Sequence, residues 1–136
     1  MKPLCIYHGN CADGFGAAWV IRRALVGEVD FYPGVYQDPP PDVTGRRIYL
    51  VDFSYKRPVI LKMAETATDI TIIDHHQSAI EDLREIAQDN DGCPIRMFLD
   101  NEHSGVMLTW KYFYGADTPP ALLKHTLSPR CSPATH

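Results

Sequence analysis

The sequence predicts an α/β three-layer sandwich, in which helices cover both faces of a mostly parallel five-stranded sheet. The first supporting observation is that short runs rich in β-branched and aromatic residues alternate with stretches of helical character. The second is that two of these runs are almost continuously apolar, as expected of strands covered on both faces. The third is the composition: 136 residues, 45% apolar and 22% charged, fit one folded domain and exclude a disordered chain.

Five strands are predicted, in the order in which the apolar runs occur. The third and fourth runs are the most apolar and are placed at the centre of the sheet. The predicted strands are Leu4–His8, Val29–Tyr32, Arg47–Phe53, Ile70–Asp74 and Ile95–Leu99.

Four helices are predicted for the stretches that separate or follow these strands. Pro58 suits the first turn of a helix, and Ser104 is a good N-cap residue. Ile80 and Leu83 are spaced as on the buried face of a helix. The predicted helices are Gly14–Val26, Pro58–Ala67, Ser78–Gln88 and Ser104–Tyr114.

The remaining segments set the expected domain limits. Gln37–Gly45 contains three successive prolines, which forbid regular structure. Residues 1–125 are expected to form one domain and residues 126–136 an irregular tail. Four aromatic side chains at packing positions in the helices are assigned to the core: Trp19, Trp110, Tyr112 and Phe113.

The net charge and the cysteine content limit the classes of partner and the cellular compartment that we expect for this protein. The net charge of −4 argues against a protein that binds duplex DNA by neutralising its phosphates. The sequence lacks an uncharged run of the roughly 20 residues that a membrane span needs, so no membrane partner is expected. The four cysteines form no CxxC pair and are interpreted as reduced thiols of a cytoplasmic protein.

Ionisable side chains follow three of the predicted strands. In open α/β sheets, functional sites form outside the carboxyl ends of the strands. Imidazole and carboxylate groups gathered there are ligands for divalent metals, and a shared carboxylate can bridge two ions about 3.5–4 Å apart. The residues are His8, Asp13, Asp52, Asp74, His75 and His76.

Each of these residues also has a structural interpretation. An Asp or His at a strand end can cap the following helix, His75-His76 can be a solvated pair, and Asp13-Gly14 can be a turn. The convergence of three strand ends favours a metal site, because a divalent ion compensates carboxylates that would otherwise repel one another.

Three short motifs in this order resemble the DHH phosphoesterase superfamily. They are His8-x4-Asp13-Gly14, Val51-Asp52 and Asp74-His75-His76, each after a strand, and the resemblance covers about residues 4–115. The family includes single-strand exonucleases, phosphodiesterases of nanoRNA and cyclic dinucleotides, and family II inorganic pyrophosphatases.

The resemblance implies a role for each matching residue. His8, Asp13, Asp52 and His75 would bind metal, with Asp52 as the bridge. Asp74 would orient the histidines and His76 would face the substrate phosphate or protonate the leaving group, so these two are the catalytic candidates. Two Mn²⁺ ions are expected, with Mg²⁺, Fe²⁺ or Zn²⁺ as alternatives, and no organic cofactor is assigned.

Four further positions remain open between a functional and a structural role. Gly14 and Gly16 would let the start of the first helix approach an anion, or they serve close packing of helix and sheet. Lys56 and Arg57 belong either to a solvated face or to an anion contact near Asp52.

The chain departs from the family pattern in two places. Cys11 stands where members commonly carry the first Asp of a D-x-D pair, and we interpret it as inert rather than as a soft ligand. No acidic residue follows Asp117, although the family has a metal-binding Asp in a fourth motif and then a substrate-binding domain.

The function expected from this resemblance is a metal-dependent phosphoesterase acting on a nucleotide or short oligonucleotide. The alternative is a truncated, catalytically impaired remnant of the fold, or a nucleotide-binding module. A metal-free nucleotide binder is disfavoured because neither glycine-rich phosphate-binding fingerprint occurs. The sequence does not predict an oligomeric state.

Overall fold

The computed structural model describes residues 2–9, 11–25, 27–36, 38–88 and 94–115. Within these ranges five strands form one sheet: β1 (Leu4–His8), β2 (Asp30–Gly34), β3 (Arg47–Val51), β4 (Asp69–Asp74) and β5 (Ile95–Leu99). Their spatial order is β2-β1-β3-β4-β5, and every pair of neighbours is parallel. The predicted fold class is confirmed, with a wholly parallel sheet among the described residues.

The helices follow the predicted order with small shifts at their ends. They are α1 (Ala12–Ala24), α2 (Arg57–Ala64), α3 (Gln77–Gln88) and α4 (Gly105–Tyr114). Ser104 is the N-cap of α4, and its side chain accepts a hydrogen bond from the Met107 N–H. Strand β3 ends at Val51, two residues earlier than predicted, because Asp52 adopts a φ of +55° that is incompatible with an extended strand.

Both faces of the sheet are apolar, and the side chains alternate between them as strand geometry requires. Even-numbered residues such as Ile6, Leu50 and Ile72 join one buried cluster with Ile60 of α2 and Leu83 of α3. Odd-numbered residues of β1, β3 and β4 join a second buried cluster with α1 and α4, whose members include Cys5, Tyr49, Val51, Ile73, Ala17, Ile21 and Leu108. These two clusters explain why the central runs are almost free of polar residues.

The core assignment of the helical aromatic residues is correct for Trp110 and wrong for Trp19. Trp110 is buried, whereas the Trp19 side chain is 38% exposed. The reason is helical phase, since α1 directs Ala17, Ala18 and Ile21 towards the sheet and turns Trp19 outwards. Tyr112 and Phe113 are half-buried against the second cluster.

The topology creates a crevice at one edge of the sheet. Strand β2 lies on one side of β1, and β3 lies on the other. The chain thus extends the sheet first to one side of β1 and then to the other, and the switch point lies between the ends of β1 and β3. Ligand sites of open α/β sheets lie at such a switch point, beyond the carboxyl ends of the strands. The fold therefore places the ends of β1, β3 and β4 side by side.

Two expectations fall partly or wholly outside the described residues. The end of the predicted domain at residue 125 and the tail at 126–136 lie outside them. Among the helices that the structure does describe, none combines the length and apolar character needed to cross a membrane.

Candidate metal centre

The six ionisable residues predicted at the strand ends meet in one buried cluster. His75 is central: its Nε2 lies 2.6 Å from Asp52 Oδ1 and 3.5 Å from Asp13 Oδ2. His8 Nδ1 approaches the other oxygen of Asp52, Oδ2, at 3.7 Å. All six residues are buried, the most exposed being His8 at 8%. The structure therefore brings together all of the predicted site residues.

Asp52 joins the two sides of this cluster. It follows β3 directly, has no exposed surface, and holds the left-handed φ of +55° that few non-glycine residues adopt. Burial alone would raise the pKa of its carboxyl, but the hydrogen bond from His75, the nearby His8 imidazole and the charges of His75 and His76 outweigh burial and lower it. Asp52 is thus held as a carboxylate whose two oxygens face two different histidines.

Asp74 fixes the geometry of both histidines that follow it. Its Oδ1 accepts hydrogen bonds from the His75 N–H at 2.8 Å and from the His76 N–H at 3.4 Å. The same oxygen lies 2.7 Å from His76 Nδ1. A carboxylate on one ring nitrogen fixes the tautomer and leaves the other nitrogen, Nε2, for chemistry. This is the orienting contact expected of Asp74.

The second oxygen of Asp74 bears on whether a cation fits this cluster. Asp74 Oδ2 is buried and has no hydrogen-bond partner among the described residues. A buried carboxylate oxygen is costly unless it is hydrogen-bonded or bound to a cation. The donor set of carboxylates and imidazoles is also one that divalent transition metals accept.

Asp13 has a structural role in addition to its place in the cluster. Its two oxygens accept hydrogen bonds from the backbone N–H groups of Gly105 and Val106, at 2.9 and 3.0 Å, across 92 and 93 residues of sequence. Burial and the Asp52 charge raise the pKa of Asp13 to about 6, although these two hydrogen bonds and His75 oppose the rise. Asp13 therefore caps α4. The sequence had offered a cap of the following helix or a turn, but Asp13 lies inside that helix, α1, and caps a distant one.

The pKa of His75 is also shifted by this environment. Burial would lower the pKa of its imidazole, but the hydrogen bond to Asp52 and the charges of Asp52, Asp74 and Asp13 raise it. The carboxylates that raise the pKa of His75 are thus the same ones that a bound cation would neutralise.

Cys11 differs from its expected state. Its Sγ lies 3.8 Å from Asp52 Oδ2, but Cys11 is disulfide-bonded, and no other described residue is its partner. A disulfide sulfur offers no thiolate to a metal, which agrees with the inert interpretation. The expected reduced state is wrong for Cys11, whereas Cys5 is a buried free thiol.

The potential donor atoms form two groups that share Asp52. One group consists of Asp52, Asp74, His75 and His76, and the other of His8, Cys11 and Asp52, with the donor atoms of each group within 4.8 Å of one another. Asp13 belongs to neither group. A carboxylate shared between two sets of donors is the arrangement expected of a bridged pair of ions. The second group, however, contains fewer charged ligands than the first.

Sequence reasoning missed two residues beside the cluster. The hydroxyl of Tyr36 lies 3.4 Å from His76 Nδ1, and no local pattern marks Tyr36 because only the fold brings β2's end to this edge. At Gly105 a Cβ atom would collide with the Asp52 carboxylate. The signal for Gly105 was its position directly after the N-cap residue Ser104, where any good helix former would otherwise serve.

The two glycines of the first helix were left open between anion binding and packing. A Cβ at Gly14 would collide with the backbone carbonyl of His8. Close packing of α1 against β1 therefore accounts for Gly14. Gly16 is likewise buried in α1.

Comparisons with known proteins add a viral relative. The chain is 28% identical to an uncharacterized protein of Acanthamoeba polyphaga mimivirus over an alignment of 136 residues, which covers 88% of this chain and 31% of that protein. The chain thus spans about a third of the length of this curated relative. No family model and no solved structure matches the chain.

Proposed function

We propose that this protein is a metal-dependent phosphoesterase that hydrolyses a nucleotide or short oligonucleotide at the cluster around Asp52. The observation that best supports this proposal is the position of the Asp52 carboxylate between two histidines. Its Oδ1 lies 2.6 Å from His75 Nε2, and its Oδ2 lies 3.7 Å from His8 Nδ1. The resemblance of the three motifs to the DHH phosphoesterases supplies the reaction and the substrate class.

Asp52, Asp74 Oδ2, His75 and His8 are the residues that would hold metal, with Mn²⁺ as the expected ion. Bound there, a pair of ions would supply Lewis-acid stabilisation of the phosphoryl group and activate a water molecule at neutral pH. Asp13 would then act mainly by fixing the start of α4 against the centre, with Oδ2 at 3.5 Å from His75 Nε2.

His76 is the proposed general acid. Its Nδ1 is held by Asp74 Oδ1 at 2.7 Å, and its ring lines an open cavity beside the cluster. A proton held at Nε2 can therefore be passed to the leaving oxygen of a substrate that enters from this cavity. Asp74 contributes by positioning the imidazole rather than by touching substrate.

The alternative is a catalytically impaired member of this fold or a nucleotide-binding module, and one observation favours it. The second donor group contains Cys11, which is disulfide-bonded, so His8 and Asp52 are its remaining ligands. Affinity for hard ions depends strongly on the number of charged ligands. An ion at this position is therefore expected to bind weakly.

Metal content separates the two proposals. The protein is dialysed to equilibrium against Mn²⁺ at micromolar to millimolar concentration, and the bound metal is obtained by mass spectrometry of both compartments. Two equivalents at millimolar Mn²⁺, together with hydrolysis of bis-p-nitrophenyl phosphate, support the phosphoesterase. One equivalent or none without hydrolysis supports the impaired form.

The proposed partners follow from the same arguments. The substrate is a nucleotide or a short oligonucleotide, and a duplex DNA partner is disfavoured by the net charge of −4. The cytoplasm is the proposed compartment on the argument from reduced cysteines, which the free thiol of Cys5 supports and the disulfide at Cys11 opposes.

A further inference from the structure

The exposed face of α1 carries aromatic and basic side chains in one stripe. The exposed residues of this helix follow one another at spacings that place them on one side of an α-helix. They are Ala12, Phe15, Trp19, Arg22 and Arg23, and we call them the α1 stripe. At 1.5 Å of rise per residue, the stripe is about 16 Å long.

The two aromatic rings of the stripe are large and accessible. Phe15 is 55% exposed and Trp19 is 38% exposed, and residues four apart are neighbours on a helix surface. Both rings have contacts that order them. The Phe15 ring centroid lies 5.4 Å from that of Tyr7, and Arg23 Cζ lies 5.5 Å from the centroid of the Trp19 ring. Two ordered rings on one face form a surface on which flat ligands can stack.

The α1 stripe is positively charged, although the chain as a whole has a net charge of −4. Arg22 and Arg23 are both exposed, and the other three residues of the stripe are uncharged. Arg23 is held between two indole rings, because its Cζ lies 5.5 Å from the Trp19 centroid and 5.8 Å from that of Trp110. An ordered guanidinium group beside accessible rings can pair with a phosphate or stack on a base.

The α1 stripe begins at the candidate metal centre. Helix α1 starts directly after Cys11, whose Sγ lies 3.8 Å from Asp52 Oδ2. The Phe15 N–H donates a hydrogen bond of 3.1 Å to the Cys11 carbonyl, so Phe15 is one helical turn away from the centre. A polymer whose reacting group lies at Asp52 can therefore continue along the stripe, past Phe15 and Trp19 to the two arginines.

The size of the stripe distinguishes its possible occupants. Aromatic side chains have roughly 150–250 Å² of surface each, so the exposed parts of Phe15 and Trp19 offer only about 200 Å². A stable protein–protein interface buries about 800 Å² on each partner. A single nucleic acid strand needs less, because each base requires one ring face and each phosphate one cation. Aromatic rings combined with cations are the usual surface for single strands.

We propose that the α1 stripe binds a single-stranded oligonucleotide, with bases stacked on Phe15 and Trp19 and a phosphate paired with Arg22. The inference rests on the proposed function in one respect, namely that this strand is the substrate whose scissile bond lies at the Asp52 cluster. It deepens that function because the preferred substrate is a strand of several nucleotides. Stacking accepts every base, so the stripe selects for a single strand and not for a sequence.

The first test measures binding without hydrolysis. A fluorescein-labelled thymidine octanucleotide is titrated with the protein in EDTA, and its anisotropy is recorded. We expect Trp19→Ala to weaken binding about tenfold, as for other stacking rings. Leu61→Ala is the matched control, because Leu61 is a 44% exposed apolar residue of α2, a helix that packs on the opposite face of the sheet. Equal losses in the two variants would overturn the proposal.

An abasic octanucleotide separates stacking from attraction between charges. It keeps the phosphates and lacks the bases, so it is expected to bind the wild type about tenfold more weakly than the thymidine strand. Tryptophan emission gives a second readout, since Trp19 is exposed and the other tryptophan, Trp110, is only 4% exposed. Stacked bases should quench Trp19. Equal binding of both strands, or unchanged emission at saturation, would refute stacking on the stripe.

The salt dependence of binding tests the role of Arg22. Each phosphate of a single strand that a cation neutralises contributes about 0.7 to the slope of log K against log salt concentration. Arg22→Ala should reduce the slope by about this amount, whereas Lys62→Ala, at an exposed lysine of α2, should leave it unchanged. The same slope in Arg22→Ala and the wild type would contradict the phosphate contact.

A second copy of this chain is the competing occupant of the stripe. Sedimentation velocity without nucleic acid separates the two, because wild type and Trp19→Ala are expected to have the same oligomeric state. A wild-type dimer that becomes a monomer in Trp19→Ala would show that the stripe is a protein interface and would overturn the proposal.

Turnover separates this proposal from the proposed function. The thymidine octanucleotide is compared with bis-p-nitrophenyl phosphate at saturating Mn²⁺. The ratio of their kcat/KM values is expected to fall about tenfold in Trp19→Ala and to stay constant in Leu61→Ala. Turnover with an unchanged ratio refutes the role of the stripe alone. Absence of all turnover, with Trp19-dependent binding in EDTA, refutes the phosphoesterase and leaves the single-strand site standing.

Discussion

At the scale of single residues, Asp52 decides whether the cluster can hold two ions. Asp52→Asn keeps the left-handed backbone, which Asn tolerates better than most residues, but removes the charge that faces both His8 and His75. We expect the variant to lose at least one equivalent of Mn²⁺ in isothermal titration. Unchanged stoichiometry and affinity would contradict the bridging role of Asp52.

His76 and His75 are neighbours in sequence with different expected roles. His76→Ala is expected to retain the Mn²⁺ content of the wild type and to lower hydrolysis of bis-p-nitrophenyl phosphate by about 10²–10⁴-fold, the usual contribution of a general acid. Metal mass spectrometry and initial rates on the same sample check this. Loss of metal together with activity would make His76 a ligand, a possibility that its place in the first donor group leaves open.

The identities of these residues could be predicted from the sequence because each directly follows an apolar strand run. The geometry of these residues could not be predicted from the sequence. The φ of +55° at Asp52 and the contact between the Tyr36 hydroxyl and His76 depend on how distant segments pack, and no local pattern encodes either of them. The state of Cys11 was mispredicted for a related reason, since CxxC spacing detects only pairs that are close in sequence.

At the scale of secondary-structure elements, Asp13 ties the start of α1 to the start of α4. Asp13→Ala would leave the N–H groups of Gly105 and Val106 without this acceptor, so we expect a loss of about 1–3 kcal/mol in the free energy of unfolding. Urea denaturation in EDTA measures it, with Glu65→Ala as a control at an exposed acidic residue. Unchanged stability of Asp13→Ala would mean that Asp13 serves the metal alone.

The order and type of the elements could be predicted, and their ends were less accurate. The alternating strand residues pack against helices on both faces, so continuous apolar runs were sufficient to identify β3 and β4. Trp19 was misplaced because the phase of α1 is set by Ala17 and Ile21, small and medium side chains that fit against the sheet and leave the larger ring outside.

At the scale of the whole molecule, stability without metal should depend on pH. The pKa of Asp13 is raised to about 6 and that of His75 is also raised. The folded state therefore binds more protons than the unfolded state, because of Asp13 between about pH 4 and 6 and because of His75 above about pH 6.5, and the free energy of unfolding should increase as the pH falls through these windows. The lowered pKa of Asp52 opposes this trend only in more acidic solution.

Urea denaturation in EDTA at pH 5.5 and pH 8 checks the sign of this pH dependence of the free energy of unfolding. Greater stability at pH 5.5 is expected, and addition of Mn²⁺ should reverse the order because metal replaces these protons and binds better when the ligands are deprotonated. Asp13→Asn should reduce the dependence in EDTA. Greater stability at pH 8 without metal would contradict the raised pKa values.

The most direct test of metal-dependent phosphoester hydrolysis is the rate with bis-p-nitrophenyl phosphate as Mn²⁺ is raised from micromolar to millimolar concentration. The second donor group offers few charged ligands, so the rate should be zero in EDTA, low at micromolar Mn²⁺ and saturated only in the millimolar range. Asp52→Asn should remain inactive throughout. Full activity at micromolar Mn²⁺ would mean that a further ligand completes the second position, and no hydrolysis at any concentration would contradict the phosphoesterase itself.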